Sequence, residues 1–452
     1  MYVTPKWFKR EFLHLALPFI SSLQAILDIS NLIRGLNIAS PVVALWDTEQ
    51  CIMDLKRNKN RWYDGAVNEH LIFSDHHFRV HLSLLFTAML CDSFVADDFR
   101  KEFIVLLLKS KHGDATSLDM YRGSTLSPEL CSVFEAVLLR IYKEYLISDQ
   151  LQYGFKENSS CAHVLFAVTE SVKHFTNKGS KVYFGFLDAT KANDKVLHNG
   201  IFKKLMEKNV PVAFIGIPHS WYNNLHCSVH WNNVIGESFV VKCGVRQGGV
   251  LFPYLFALYV DELIIEVRNS SYGLHIGQLF LGCAFYANDI ALLSALCYGL
   301  QRLINICEQY GNAWEIRFNP TKSQLITFGG PNPSVCGIHI NGNPIHWVNK
   351  IKYFGVDLLC NTGLTDIADS VKKFYEKFNN IMAVLSKHSN EMSTLHLVKS
   401  YCLPALLYGC EVWHLCRAGD FFQTNTHITT GNILLFWANN TTQSTIEFTH
   451  RE

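Results

Sequence analysis

The chain has 452 residues, enough for two or three structural units around substantial cores. With 49% hydrophobic and 17% charged residues it is globular, because a disordered chain needs fewer apolar groups and more charge. A formal net charge of +1 is too balanced for bulk charge to mark a nucleic-acid binder, so any such binding has to come from local basic patches.

The 14 cysteines form no Cys-x-x-Cys pair and no Cys–His tract of zinc spacing, and they read as buried thiols in a reducing compartment. Residues 12–33 are the most apolar stretch, but His14, Pro18, Gln24 and Asp28 interrupt it, so it falls short of a spanning helix. Lys6, Lys9 and Arg10 ahead of it weakly imitate a signal peptide; a helix packed on a core is the preferred reading, with no membrane partner and no secretion. The basic run Lys56-Arg57-Asn58-Lys59-Asn60-Arg61 reads as a solvated turn rather than a nuclear localisation patch.

Residues 1–66 carry no recognisable motif. From Val67 the text becomes periodic: residues 78–89 are apolar enough for a buried helix, and Phe103-Ile104-Val105-Leu106-Leu107-Leu108 predicts a buried strand. A basic turn, Lys109-Ser110-Lys111-His112-Gly113-Asp114, follows it. Residues 130–146 have helical spacing with Val133, Val137, Leu138, Ile141 and Tyr145 on one face. Residues 201–206 and 252–267 also predict helices, the second starting near Pro253.

Residues 274–281 and 290–293 are expected as hairpin arms around Asn288-Asp289, and Asn341-Gly342-Asn343 is a strong turn signal. Residues 366–387 predict an amphipathic helix with Ile367, Val371, Phe374, Phe378 and Ile381 on a core and Lys372, Lys373 and Lys377 outside. His77 and His81 share a helical face but lack an acidic or thiol partner, and read as ordinary histidines.

The chemistry concentrates in three places. Val182-Tyr183-Phe184-Gly185-Phe186-Leu187-Asp188 is a strand-forming run that ends in a carboxylate. Gly244-Val245-Arg246-Gln247-Gly248-Gly249 offers backbone amides and a guanidinium to phosphate, and Gln247 offers a donor and an acceptor to a base pair. Phe285-Tyr286-Ala287-Asn288-Asp289-Ile290 sets a second acidic spot between apolar runs. Strand-end carboxylate, glycine-rich basic turn and acidic hairpin tip, in that order, resemble the layout of a two-metal phosphoryl-transfer site and are expected to work as one. The blander readings are a cap for Asp188, a plain glycine turn for residues 244–249, and surface charges for Lys109 and Arg122. In the functional reading these two cations hold a triphosphate.

Together these segments resemble the reverse transcriptases of non-LTR (LINE-type) retrotransposons, over residues 67–415. Residues 103–122, ending in Met120-Tyr121-Arg122, look like the first fingers motifs, and Gln152-Tyr153-Gly154-Phe155 looks like the family's Q-x-G-F segment. Phe186-Leu187-Asp188-Ala189-Thr190-Lys191-Ala192-Asn193-Asp194 resembles motif A, Gly244-Val245-Arg246-Gln247-Gly248 motif B, and Tyr286-Ala287-Asn288-Asp289 stands where motif C reads Y-A-D-D. Phe318-Asn319-Pro320-Thr321-Lys322-Ser323 is similar to motif D, Lys352-Tyr353-Phe354-Gly355-Val356 to motif E, and residues 401–413 to thumb and connection text.

The resemblance implies an α+β right-hand polymerase fold with fingers, a palm built on an antiparallel sheet, and a helical thumb. Its domains would be an unassigned lead at 1–66, fingers at 67–180, a palm with motifs A to E at 181–361, thumb or connection helices at 362–418, and a divergent tail at 419–452. It implies Mg²⁺, with Mn²⁺ as an alternative, held by Asp188, Asp289 and the main chain of Ala189. It further implies an RNA template with a DNA primer, or an RNA–DNA hybrid, and deoxynucleoside triphosphates. Lys109, Arg122, Asn193, Arg246, Gln247, Gly248 and Lys322 would bind nucleotide or template, in a nuclear or cytoplasmic protein.

Three departures fall inside motifs. Asn288 replaces the first motif C aspartate and removes a charge from the metal site. Asn193 replaces the aromatic that excludes a 2′ hydroxyl, and Phe252 replaces a small polar residue before Pro253, where a ring would disturb the turn. The expected activity is an RNA-directed DNA polymerase with impaired catalysis. The second reading is a dead remnant that only binds RNA or hybrid, and the third a fragment that folds poorly.

Overall fold

A computed structural model of the chain describes residues 41–58, 66–109, 114, 116–117, 120–232, 234–360, 365–385 and 390–413. The apolar stretch 12–33, residues 59–61 of the basic run, 110–113 of the basic turn and the tail 419–452 lie outside the described residues. Two compact units meet in sequence at the Asn349–Lys350 junction.

In the first unit, α1 (Leu45–Met53) lies in the lead that carried no motif, and α2 (His76–Cys91) covers the helix expected at 78–89. Asp75 caps α2 by accepting the Phe78 amide at 2.7 Å. β1 (Lys101–Leu108) pairs antiparallel with β2 (Tyr121–Leu126). The expectation of a buried β1 is corrected: Glu102 and Ile104 point inward, while Leu107 and Leu108 run past the core and are exposed. α3 (Glu129–Tyr142) buries Val133, Val137 and Leu138. Tyr145, expected on that face, is exposed because α3 stops at Tyr142 and a tighter 3-10 turn, Lys143–Tyr145, carries the chain on.

Then come α4 (Cys161–Thr176), β3 (Val182–Thr190), α5 (His198–Glu207), α6 (Val212–Asn223), β4 (His226–Trp231) and α7 (Phe252–Asn269). After them run β5 (Cys283–Tyr286), β6 (Asp289–Ser294), α8 (Cys297–Ala313) and β7 (Gln324–Phe328). β4 joins β1 in parallel, giving a sheet built on β2, β1 and β4. The second sheet has the order His346–Trp347, β7, β3, β6, β5, and Arg317–Phe318 pairs with the end of β3.

β3 is central in that sheet because its aromatic and β-branched run packs on both faces: Val182, Phe184, Leu187 and Ala189 are all buried. Helices α4, α7 and α8 pack against the sheet. The core they share is continuous from Val43 to Ile345. α7 begins at Phe252 itself, with Pro253 in its first turn. The Phe252 ring does not disturb the turn; it is buried 5.9 Å from the Phe155 ring, edge to face.

The hairpin arms around Asn288-Asp289 are β5 and β6, not residues 274–281. Those residues close on themselves in a small hairpin, His275–Ile276 with Leu279–Phe280, because Gly277 takes the left-handed turn with φ 58°. The Asn341-Gly342 signal holds: both residues have positive φ, 51° and 72°, and join His339–Ile340 to Asn343–Pro344.

Cysteine usage is corrected too. Cys297, at the start of α8, is disulfide-bonded to Cys336. The two are 39 residues apart in sequence, beyond the reach of any spacing motif.

In the second unit, β8 (Lys350–Tyr353), β9 (Val356–Leu359) and Thr365–Asp366 form an antiparallel sheet, pinned by Lys350 Nζ at 3.0 Å from both Asp357 and Asp366. The motif E residues therefore lie in this unit. Of the apolar residues expected to face a core from α9 (Ala368–Val384), only Phe374 is buried, with Phe378 stacked on it. Lys372, Lys373 and Lys377 are exposed, as the helical pattern requires. Among the described residues no helix is long and apolar enough to cross a membrane.

The Cys297–Cys336 bond is tested by thiol titration of the unfolded protein before and after reduction. Two more thiols are expected after reduction; equal counts would mean that the bond does not form.

Candidate active site

Antiparallel pairing of β3 with β6 sets Asp188 directly opposite Asp289. Both carboxylates sit at strand ends next to turns. Lys191, with φ 47°, ends β3, and the two-residue turn Ala287-Asn288 joins β5 to β6. Directly opposed residues bring their Cβ atoms within about 5.5 Å, so two like charges share one small space. Burial and the Asp188 charge push the Asp289 carboxyl up to about 6. Among the described residues no ion pair joins either carboxylate to a Lys, Arg or His.

The Asp188 backbone is fixed from the motif D side. Its amide donates to Ser323 Oγ at 3.2 Å and its carbonyl accepts the Asn319 amide at 2.9 Å. Asn319 Oδ1 also accepts from the Thr321 amide and hydroxyl and from the Lys322 amide, which shapes the turn and leaves Lys322 exposed. Asn288 turns its amide the other way: Nδ2 donates to the Ala189 carbonyl at a long 3.4 Å. A carboxylate could not donate there, and with that carbonyl it would form an all-oxygen face for a cation.

Among the described residues there is no cluster of three or more His, Cys, Asp or Glu side chains fit for a metal. Two uncompensated carboxylates and a nearby carbonyl nevertheless fit Mg²⁺. This hard ion is usually held by one or two carboxylates, with water and substrate phosphate completing the octahedron.

A second group gathers around Gln247. Gln247 Nε2 donates to Asp194 Oδ1 at 2.5 Å, and its Oε1 accepts from Arg122 Nε at 3.4 Å. Its carbonyl accepts the Thr125 amide at 2.7 Å, locking the glycine turn to β2. Gly248 has φ 128°, and a Cβ there would lie 2.5 Å from the Thr125 oxygen, so only glycine fits. Burial pushes the Asp194 carboxyl up, while the Gln247 hydrogen bond and the charges of Lys191, Arg122 and Lys109 act the other way. Lys109, Arg122, Asp194 and Gln247 thus act on one locus.

A cavity of about 80 Å³, lined among others by Thr125, Asp194, Gly244 and Gln247, opens beside it. At Asn193 the carbonyl accepts the Val245 amide at 2.9 Å, and the buried Oδ1 has no hydrogen-bond partner among the described residues.

Arg246 is the correction in this site. Expected to meet phosphate, it is instead buried, ion-paired to Glu102 of β1 and, at 2.7 Å, to Glu135 of α3. Its Nη2 donates to Ser127 Oγ at 2.7 Å, and the guanidinium lies 4.3 Å from the Trp221 ring centroid. Ion-paired to both glutamates and hydrogen-bonded to Ser127, it struts the glycine turn from within. Burial pushes the Glu102 carboxyl up to about 7, against the opposing pull of Arg246. Sequence reading missed both glutamates; the one signal for them was a charged residue at an inward position of an otherwise apolar strand or helix.

An antiparallel sheet that sets two carboxylates opposite each other next to its turns has the arrangement of a polymerase palm. The chain belongs to the reverse transcriptase (RNA-dependent DNA polymerase) family, which it matches over residues 109–358. It has the right-hand polymerase fold in the α+β class that the motif order implied, and the LINE-type resemblance stands.

Its relatives are mobile-element polymerases. It is 24% identical over 416 residues to the RNA-directed DNA polymerase from mobile element jockey of Drosophila funebris, covering 88% of this chain and 44% of that protein. It is 23% identical over 419 residues to the probable RNA-directed DNA polymerase from transposon BS of Drosophila melanogaster, covering 89% and 45%. The chain therefore spans about half the length of the curated relatives it matches. Among solved structures it is similar to apo telomerase from Candida Tropicalis truncated from its C-terminal domain, with TM-score 0.44 and 13% identity over 64% of this chain and 60% of that chain.

Arg246→Met removes what is, among the described residues, the one positive partner of two buried glutamates. It is expected to cost about 3–5 kcal/mol, read as a lower urea midpoint. An unchanged midpoint would mean that Glu102 and Glu135 are not held as described.

Proposed function

We propose that this chain is the polymerase module of a non-LTR retroelement, copying RNA into DNA, with catalysis impaired at Asn288. The observation that carries this reading is the Asp188–Asp289 register beside an amide at position 288. In the reading, Asp188, Asp289 and the Ala189 carbonyl hold Mg²⁺, with Mn²⁺ as an alternative. The metal supplies charge neutralisation on the phosphates and lowers the pKa of the attacking hydroxyl. The protein's own work is positioning.

Lys109 and Arg122 face the triphosphate, Arg122 in a planar fork that suits two phosphate oxygens. Gln247, held between Arg122 and Asp194, checks the nascent base pair. Gly248 keeps the wall free of a side chain, and Lys322 on its exposed turn assists the departing pyrophosphate. Asn193, smaller than an aromatic ring, relaxes exclusion of a 2′ hydroxyl. The partners are an RNA template, a DNA primer or RNA–DNA hybrid, and deoxynucleoside triphosphates, in the nucleus or cytoplasm.

The size of the lesion follows from electrostatics. Replacing carboxylate by amide removes one close charge pair, worth about 4 kcal/mol at an effective dielectric of about 20. That corresponds to about three decades in rate. A second reading, a remnant that binds hybrid without copying it, is favoured by one observation: Arg122, Asp194 and Gln247 stay assembled although the metal side has lost a charge.

Primer extension on an RNA template with Mg²⁺ separates the two. The chain as written is expected to extend about a thousandfold more slowly than Asn288→Asp. Near-equal, efficient extension by both would overturn the lesion. Salt-sensitive hybrid binding with no extension by either would favour the binding remnant.

A further inference from the structure

Residues 149–156 pass behind the hairpin tip, and nothing in the proposed chemistry uses them. The Tyr153 amide donates to the Phe285 carbonyl and the Phe285 amide to the Leu151 carbonyl, both at 2.8 Å. The segment thereby adds a parallel bridge, Gln152 with Phe285, along the outer edge of β5. Its root is held by charge. Arg268 pairs with Asp149 at 2.5 Å, Asp261 accepts the Asp149 amide at 2.6 Å, and Lys208 pairs with Asp261. Lys156 Nζ closes the loop by donating to the Asp149 carbonyl at 2.5 Å.

Gln152 has no exposed surface. Its Oε1 accepts the amides of Ala287 at 2.9 Å and Gly154 at 3.0 Å, and its Nε2 donates to the Ala287 carbonyl at 3.4 Å. One side-chain amide therefore satisfies both backbone groups of a single turn residue. That residue is under strain: Ala287 has φ 56°, a left-handed conformation that disfavours any residue with a Cβ. Gly154 completes the fit, since a Cβ there would lie 2.5 Å from the Ala287 nitrogen. The next two residues after Ala287 are Asn288 and Asp289, so the turn angle at 287 sets where the acidic position points.

We propose that Gln152 is a positioning residue for the carboxylate site, holding Ala287 in the left-handed turn that sets Asp289 opposite Asp188 and Asn288 against the Ala189 carbonyl. Its consequence for metal binding rests on the polymerase reading; the geometry at the tip does not. Partners that orient ligands without touching the metal commonly change affinity about tenfold to a hundredfold when removed.

The test uses the full chain carrying Asn288→Asp, with Mn²⁺ alone as the probe, titrated by electron paramagnetic resonance. Gln152→Met keeps the volume and loses every hydrogen bond to the tip, and is expected to weaken Mn²⁺ binding about tenfold or more. Gln152→Glu keeps the acceptor for the Ala287 and Gly154 amides and is expected to recover most of that loss, which a purely space-filling role would not predict. Gln152→Asn, one methylene short of the tip, serves in place of Gln152→Met if that variant does not fold.

Parent-like Mn²⁺ affinity in folded Gln152→Met overturns the proposal. If the Asn288→Asp parent itself binds no Mn²⁺, the polymerase reading fails instead. Hydrogen exchange in the chain as written then decides the positioning role. Gln152→Met is expected to speed exchange of amides 285–290 more than Gln152→Glu does, with amides 182–187 unchanged. Equal exchange in both variants overturns it.

Discussion

The site depends on one alignment, the antiparallel register that places Asp188 of β3 against Asp289 of β6. A slip of one residue would send every side chain of β6 to the opposite face, putting Ile290 where the carboxylate belongs. Residues 290–294 are buried throughout, so the strand has no polar face to steer its own alignment. Register is therefore set by the two-residue turn at Ala287-Asn288 and by the neighbours that pin β3, with β7 on its other edge and Asn319 and Ser323 gripping the Asp188 backbone. The cost of the arrangement shows in the raised Asp289 carboxyl. Burial first, and then the charge of Asp188, disfavours the ionised Asp289, and the scaffold holds the pair together all the same.

Polar residues around this alignment fall into two sets with different physics. Those inside the fold are consumed by one another: Arg246 by Glu102 and Glu135, and Gln152 by the hairpin tip. Buried networks of this kind are costly to break and tend to hold one geometry. Arg122, Asp194 and Gln247 hold one another through single contacts, and Asp194 and Gln247 line the cavity. Asn288 sits on the boundary. Its amide takes up the Ala189 carbonyl, so the lost carboxylate leaves a locally satisfied turn and not a defect in the fold.

Much of this was legible in the sequence because it is local. The apolar run into Asp188, the Asn341-Gly342 turn and the helix after Pro253 each follow from a short window of residues. The family text also gave the order of the site residues along the chain, and with it the fold. What was not legible depends on distant partners. An arginine in a glycine-rich turn looks like a surface cation, and only folding brings Glu102 and Glu135 around it. The same holds for Cys297 with Cys336 and for the splint that Gln152 makes to Ala287. The hairpin arms were misplaced because residues 274–281 carry strand composition, but Gly277 lets them close early.

The most direct measurement is a cycle of single-nucleotide incorporation rates in the Asn288→Asp chain, with Asp188→Asn, Asp289→Asn and both together. Carboxylates that serve one metal site act as a unit, so the double variant is expected to lose little more than the worse single variant. Losses that multiply, or an Asp289→Asn variant as fast as its parent, would mean that the two aspartates do not form a common site.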